Sequence, residues 1–406
     1  MSDRLFDVVV VGAGAAGMLA AARAAQRGLS VVLLEKNRKA GVKILMSGGT
    51  RCNLTHATDR RGIADAFGKQ GRFLHSPLAS FPPERVVELF ESLGVATKVE
   101  STGKVFPVSD RSLDVQRAML RLLEDSGAEL RLASPATAIE KTGDGFVVRT
   151  ATGDLAARRV ILTVGGQSYP GCGTVGDGYP WAKALGHRIV PTRPALTPLL
   201  SDAAWVHELK GVTQPDALIA IGPRGAKAIE RRRGSLLLTH FGLSGPLAMN
   251  LSRVVTERPD AGDWVAAVDF APEVGEEQLS TELASGGRHT LSVVDRLMPR
   301  RLAEATLEGA GVPADRRGAE LSKPERRRVI DAVKRRPIPI TGTQGFKKAE
   351  VTAGGVDLRD VDSKTMQSRR TPGLFFAGEV LDLDGPIGGY NFQAAFSTGW
   401  LAGENV

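Results

Sequence analysis

The chain has 406 residues, 42% hydrophobic and 24% charged, with a formal net charge of +8. That length suits about two or three globular domains, and the composition excludes disordered, fibrous and membrane-spanning chains. Two cysteines, Cys52 and Cys172, exclude a disulfide framework, no Cys/His cluster has zinc spacing, and the start MSDRLFDV lacks a secretion signal; a cytoplasmic protein without a metal site, a membrane or a DNA partner is expected.

In chain order, LFDVVVV is apolar and β-branched, as a buried parallel strand requires. Gly12, Gly14 and Gly17 follow at once, and the alanine-rich AAGMLAAARAAQRG then reads as a helix. Gly12 allows a tight turn, Gly14 lets a pyrophosphate approach the backbone, and Gly17 lets helix and strand pack closely, with the helix N-terminus facing the anion. A second strand, LSVVLLEK, brings Glu35 roughly 20 residues past the glycines, where a Rossmann fold places the acid that bonds a ribose 2′-OH. An acid there favours FAD or NAD over NADP. Helices are expected at PPERVVELFESLG and DVQRAMLRLLEDSG, then short strands at AELRLA, TAIEKT, GFVVRTA and LAARRVILTV. From about residue 190 prolines break the pattern and β-like runs follow (ALIAIG, GSLLLTH, WVAAVDF), while 276–336 reads as helical. PGLFFAGEV then returns to a Rossmann strand. The expected architecture is α/β, with a Rossmann-type FAD-binding domain in two pieces, 1–190 and 342–406. A β-barrel-like insertion, 191–275, and a small helical domain, 276–341, lie between them.

Two later stretches separate FAD from NAD. RRVILTVGGQS ends a strand in Thr163, Gly165 and Gly166, and GLFFAGEVLD ends one in Gly378 and Glu379. Both are similar to pieces that glutathione-reductase-type flavoproteins carry in the same order. The first lies there near the adenosine half of FAD, and the second supplies an acid, usually Asp, to the ribityl or pyrophosphate region. A CxxxxC is missing, which disfavours a disulfide-reductase mechanism, and no dedicated NAD(P)H domain is expected. In PIGGYNFQAAFSTGWLAG, Gly388 and Gly389 open the N-terminus of a helix that can stabilise charge on the N1–C2=O edge of a reduced flavin. The loop SGGTRCN can pass along the isoalloxazine or pyrophosphate, with Arg51 neutralising phosphate or holding a substrate carbonyl. Cys52 is either the proton donor beside the ring or a small buried residue; Cys172 and His240 are weaker choices for the same role.

Over nearly its whole length the chain resembles the BaiN/RdsA-like flavoproteins. The resemblance rests on GVKILMSGGTRCNLTH, GCGTVGDGYPWAKALGH, LLLTHFGLSGP, VTAGGVDLRDVDSKTMQSRRTPGLFFAGEVLDLDG and IGGYNFQAAFSTGWLAG. This chain departs from the family pattern at Thr50, where a glycine or small residue is usual, and in GTVGDGY. The resemblance implies non-covalent FAD held by Gly12, Gly14, Ala15, Ala16, Gly17, Glu35 and Lys36. Further contacts are implied from Lys43, Ser47, Gly48, Gly49, Arg51, Cys52 and Asn53, from Thr163, Gly165 and Gly166, and from Gly378, Glu379, Gly388, Gly389, Tyr390 and Asn391. It also implies reduction of a conjugated C=C bond by hydride transfer from flavin N5, with NAD(P)H as a transient reductant. Uridine in large-subunit ribosomal RNA, giving dihydrouridine, is one substrate class. A steroid-like enone reductase, an amine oxidase and a flavin-bound RNA-binding factor without turnover are the alternatives. Two basic segments, Arg224–Arg233 and Lys323–Arg336, favour RNA: they carry five bases against one acid and seven against two. The second is predicted as a helix capped by Ser322 with Glu325 completing a capping box.

Overall fold

The structure is a computed structural model that describes residues 4–285 and 287–406. Two compact units emerge: the first runs to Pro194 and resumes at Glu350, and the second is Ala195–Ala349.

In the first unit, strand β1 (Leu5–Val11), helix α1 (Ala15–Gln26) and strand β2 (Val31–Leu34) form the expected βαβ unit. β1 pairs in parallel with β2 on one side and with Leu155–Leu162 on the other, in register Val8↔Val31 and Val8↔Arg159. Glu129–Arg131 extends the sheet beyond β2, and Leu374–Phe376 pairs in parallel with Leu155–Leu162. The hairpin of Ala136–Thr142 and Gly145–Thr150 adds antiparallel strands. Val8, Val9 and Val10 are fully buried because helices cover both faces of a parallel sheet. The alanines of α1 have a packing reason. A Cβ on Gly399 or Gly403 of the C-terminal helix, Tyr390–Asn405, would come within 2.5 Å of the carbonyl oxygen of Ala16 or Ala20, so only small residues let the helices touch. A separate three-stranded sheet, ordered Thr55–His56, Lys104–Pro107, Thr97–Val99, supports the SGGTRCN loop.

The second unit holds a seven-stranded antiparallel sheet with the long strands Thr213–Pro223 and Glu230–Thr239 at its centre. Its two edge strands, Arg336–Ile340 and Gly342–Thr343, are parted by Thr341 alone, so the sheet curls towards itself. The capping box stands as the spacing predicts: Glu325 accepts from the Ser322 amide at 2.8 Å and opens the helix Lys323–Lys334. The β and helical segments, taken apart by sequence pattern, share one hydrophobic core: Ile219, Val268 and Ile338 of the sheet cluster with Leu279, Leu302 and Val329 of the helices. Short amphipathic helices cannot bury their apolar stripes alone, and the sheet supplies the surface they need.

Candidate functional site

The glycine-rich turn has the shape its spacing predicts. Gly12 has φ 104°, and a Cβ there would stand 2.7 Å from the Thr163 carbonyl oxygen. A Cβ on Gly17 would stand 1.9 Å from the Gly12 oxygen, so α1 lies directly against the turn. At Gly14 the position is open: beyond its chain neighbours no atom lies within 4 Å of where its Cβ would be. Ala15 and Ala16 begin the helix, so the unpaired N–H groups of its first turn flank this space. Thr163 locks the turn by donating its hydroxyl to the carbonyls of Val11 (2.9 Å) and Gly12 (2.8 Å). Gly165 has φ 75°, and a Cβ on Gly166 would stand 2.4 Å from Thr352 Oγ1.

Glu35, 8% exposed, directly follows β2 and accepts from the amides of Ala13 (3.0 Å) and Asn37 (2.8 Å). An anionic acceptor fixed beside an open helix N-terminus fits the adenosine diphosphate half of a dinucleotide. Lys36 turns instead to an ion pair with Asp177.

Ser47, Gly48 and Gly49 form a tight turn after the short helix Val42–Met46. Left-handed φ values occur at Gly48 (55°), Gly49 (66°), Thr50 (69°) and Cys52 (61°). For the two residues with a Cβ this costs roughly 1–2 kcal/mol each. Arg51 places its guanidinium carbon over Phe106, 3.9 Å from the ring centroid, and donates to Glu100 at 2.6 Å. Its charge is therefore balanced by this chain's own carboxylates. The amide group of Asn53, oriented by its neighbours, accepts from Gly389 N–H at 3.0 Å and donates to Thr55 and Val105 carbonyls. It thereby ties the loop to the C-terminal helix.

Several side chains expected at the cofactor are held within the protein. Cys52 is fully buried in the apolar core, and desolvation pushes its thiol up to about 12. With no exposed surface the thiol touches no substrate where it stands, which favours the small-buried-residue reading. Cys172 lies with its sulfur 3.1 Å from Met46 Sδ, and both cysteines are free thiols. Glu379 is also spent within the protein: it pairs with Lys43 and accepts from Ser168 Oγ (2.6 Å) and Thr352 N–H (2.9 Å). The longer Glu side chain, where an Asp is usual, folds back to this cluster. Asn391 binds the Gly385 turn, accepting from its N–H at 2.8 Å and donating to its carbonyl at 2.9 Å. His240 sits exposed in the second unit, its ring edge-on to Phe241 at 5.0 Å.

Around Gly388 and Gly389, with φ 138° and 90°, the chain enters the C-terminal helix. A Cβ on Gly389 would stand 2.4 Å from the Thr55 carbonyl oxygen, so glycine is required where the helix start crosses that strand. His56, not singled out from sequence, donates from Nδ1 to the Gly388 carbonyl at 3.0 Å and stacks on Tyr390 at 4.7 Å. Ser168 and Thr352 were also missed: the Thr352 hydroxyl accepts from the amides of Gln167 and Ser168, which no local pattern announces.

The basic segments converge inside the second unit. Arg233 pairs with Asp216 and Glu273, while Arg327 and Arg335 share Glu276, three residues further on. Arg326 and Arg328 donate to the carbonyls of Leu321 (2.8 Å) and Ala310 (2.9 Å). Much of this charge is thus neutralised locally.

Residues 6–405 match the HI0933-like protein Rossmann domain. The chain belongs to the HI0933-like Rossmann family. Two relatives are alike over nearly the whole chain. The ribosomal RNA dihydrouridine synthase of Escherichia coli strain K12 is 32% identical over 409 residues, covering 99% of this chain and 98% of the relative. The 3-dehydro-bile acid delta(4,6)-reductase of Clostridium scindens is 31% identical over 97% of both chains. Among solved structures, the 3-ketosteroid delta1-dehydrogenase of Sterolibacterium denitrificans superposes with TM-score 0.52 at 17% identity, over 98% of this chain and 99% of that one, a likeness of fold alone. No described helix is long and apolar enough to cross a membrane.

Proposed function

We propose that this FAD-dependent oxidoreductase reduces a C=C bond conjugated to a carbonyl, and that its substrate is uridine in large-subunit ribosomal RNA, which becomes dihydrouridine. The likeness of the whole chain to a ribosomal RNA dihydrouridine synthase carries the reading. The surplus of positive charge agrees with it.

When bound and reduced, FAD would supply the hydride that the β-carbon of such an alkene accepts, with NAD(P)H as the proposed reductant. The chain's own residues do the rest. Open backbone at Gly14 admits the pyrophosphate, and the Glu35 carboxylate accepts from the adenosine ribose. The N-terminus of Tyr390–Asn405 stabilises negative charge that develops on the flavin edge. With Cys52 buried, the proton for the α-carbon is assigned to Tyr390, a half-buried phenol at the start of that helix, held by the His56 stack. Burial raises its pKa, which keeps it protonated and a donor at neutral pH. A uracil within a duplex must be unstacked before reduction, so single-stranded or partly unfolded RNA is the better substrate.

A second reading, a small-molecule enone reductase, is favoured by the equally complete likeness to a bile acid reductase. The test gives the purified holoenzyme and NAD(P)H either large-subunit ribosomal RNA or a steroid enone. Conversion of uridine with the enone untouched supports the RNA reading. Reduction of the enone with the RNA unchanged replaces it.

A further inference from the structure

Arg188, Arg359 and Arg370 come together in the first unit around two buried carboxylates, with Arg369 beside them on Asp362. Asp360, whose side chain is 1% exposed, accepts from Arg188 at its backbone amide (2.9 Å), Nε (3.2 Å) and Nη2 (3.0 Å), and from Arg370 Nε (2.9 Å). Asp357, 7% exposed, holds the fork of Arg359 through Nε at 3.0 Å and Nη2 at 2.6 Å. Arg369 donates to the Val361 carbonyl at 3.3 Å and lies 3.6 Å from Asp362. The guanidinium side chains nevertheless stay 48%, 74%, 55% and 50% exposed for Arg188, Arg359, Arg369 and Arg370.

The contrast with the second unit is physical. There the acids that pair with Arg233, Arg327 and Arg335 stand at the surface: Asp216 and Glu273 are 41% and 73% exposed, and Glu276 and Asp331 are 40% and 43%. An approaching anion meets both signs. In the first unit Asp357 and Asp360 lie beneath their arginines and Asp362, 35% exposed, shares the surface, so an anion meets guanidinium in excess. Each arginine is a five-donor fork that spends only part of its donors on the acid below. The hydrogen bonds to the acid already restrain Arg188, Arg359 and Arg370, so a phosphate contact costs less further ordering. With Lys364 the patch has five cations against Asp357, Asp360 and Asp362.

We propose that this face binds the phosphodiester backbone of RNA, adding a contact surface in the first unit to the basic segments of the second. The proposal rests on the reading of RNA as substrate. It is tested by titrating a large-subunit ribosomal RNA fragment against the holoprotein at several salt concentrations. Wild type is compared with Arg359→Gln/Arg369→Gln and with Lys364→Glu, which leaves the buried carboxylates and their arginines in place. The expected result is binding weakened at least about fivefold in each variant. The slope of log affinity against log salt should fall by about one per lost contact. FAD content and flavin reduction by NAD(P)H should stay at wild-type level. If wild type shows salt-dependent binding that both variants share unchanged, this surface is overturned and the RNA reading stands. If wild type fails to bind RNA even at low salt, both fall.

Discussion

Glu35→Ala separates a cofactor-binding carboxylate from a turn anchor. The wild-type side chain is 8% exposed and already accepts from Ala13 and Asn37 amides, so its removal affects the apoprotein as well as the complex. A hydrogen bond to a charged group contributes about 1.5–3 kcal/mol, and an orphaned buried N–H costs about 1–3 kcal/mol. If the ribose hydroxyl makes one such bond, FAD affinity falls about 10- to 150-fold, on top of a loss of apoprotein stability of about 1–3 kcal/mol. The assay is a fluorescence titration of apoprotein with FAD, beside thermal melts of apoprotein and holoprotein. Glu35→Gln serves as an intermediate case that keeps an uncharged acceptor. The holoprotein melt should drop more than the apoprotein melt, because ligand binding adds to stability by mass action. An apoprotein melt lowered by the expected amount, with an unchanged FAD dissociation constant, would refute the cofactor role and leave Glu35 a turn anchor only.

Other substitutions probe the loop, the acid and the arginine scaffold. Thr50 is exposed with φ 69°, so Thr50→Gly should raise stability by about 1 kcal/mol in denaturant melts, the relief of strain exceeding the added chain entropy. Cys52→Ala should lower stability by about 1–2 kcal/mol through lost burial while leaving the rate of substrate reduction per folded enzyme unchanged; a rate loss of about 10²-fold would restore Cys52 as the acid. Tyr390→Phe should leave flavin content and flavin reduction by NAD(P)H intact and slow reoxidation of the reduced flavin by substrate about 10²-fold or more; unchanged reoxidation would remove the phenol from the chemistry. Asp360 is held well below the ordinary carboxylate range despite the opposing effect of burial, by Arg188 and Arg370. Its stabilisation is therefore complete above the unfolded carboxylate value of about 4 and is lost as pH falls below it. Asp360→Asn should cost about 3 kcal/mol at neutral pH and flatten the acid limb of the stability curve, and an unaltered acid limb would contradict this.

What the sequence revealed and what it hid follow from range. β1, α1, β2 and Glu35 are legible because strand, turn and helix are encoded within about thirty consecutive residues, each with its own periodicity. The capping box at Ser322 is legible for the same reason. Cys52 was ambiguous because its burial depends on packing from elements far along the chain, and thiol chemistry follows burial. Glu379 read as a free acid because its partners, Lys43 and Ser168, lie 336 and 211 residues away. The arginine patch was invisible in linear charge counting, since Arg188 reaches Asp360 across 172 residues. The separation of β and helical insertions failed to show the core they share, because periodicity marks an apolar face without naming what covers it.

The central claim is that the substrate is uridine in ribosomal RNA. Its most direct test is mass mapping of large-subunit ribosomal RNA from cells lacking this protein, beside the parent strain and a strain with the gene restored. The account predicts one position that gains two hydrogens in the parent, loses them on deletion and regains them on restoration. It also predicts that the Tyr390→Phe protein, holding FAD normally, fails to restore them. Ribosomal RNA with the same modifications in all three strains would contradict the account and make the small-molecule enone the substrate to pursue.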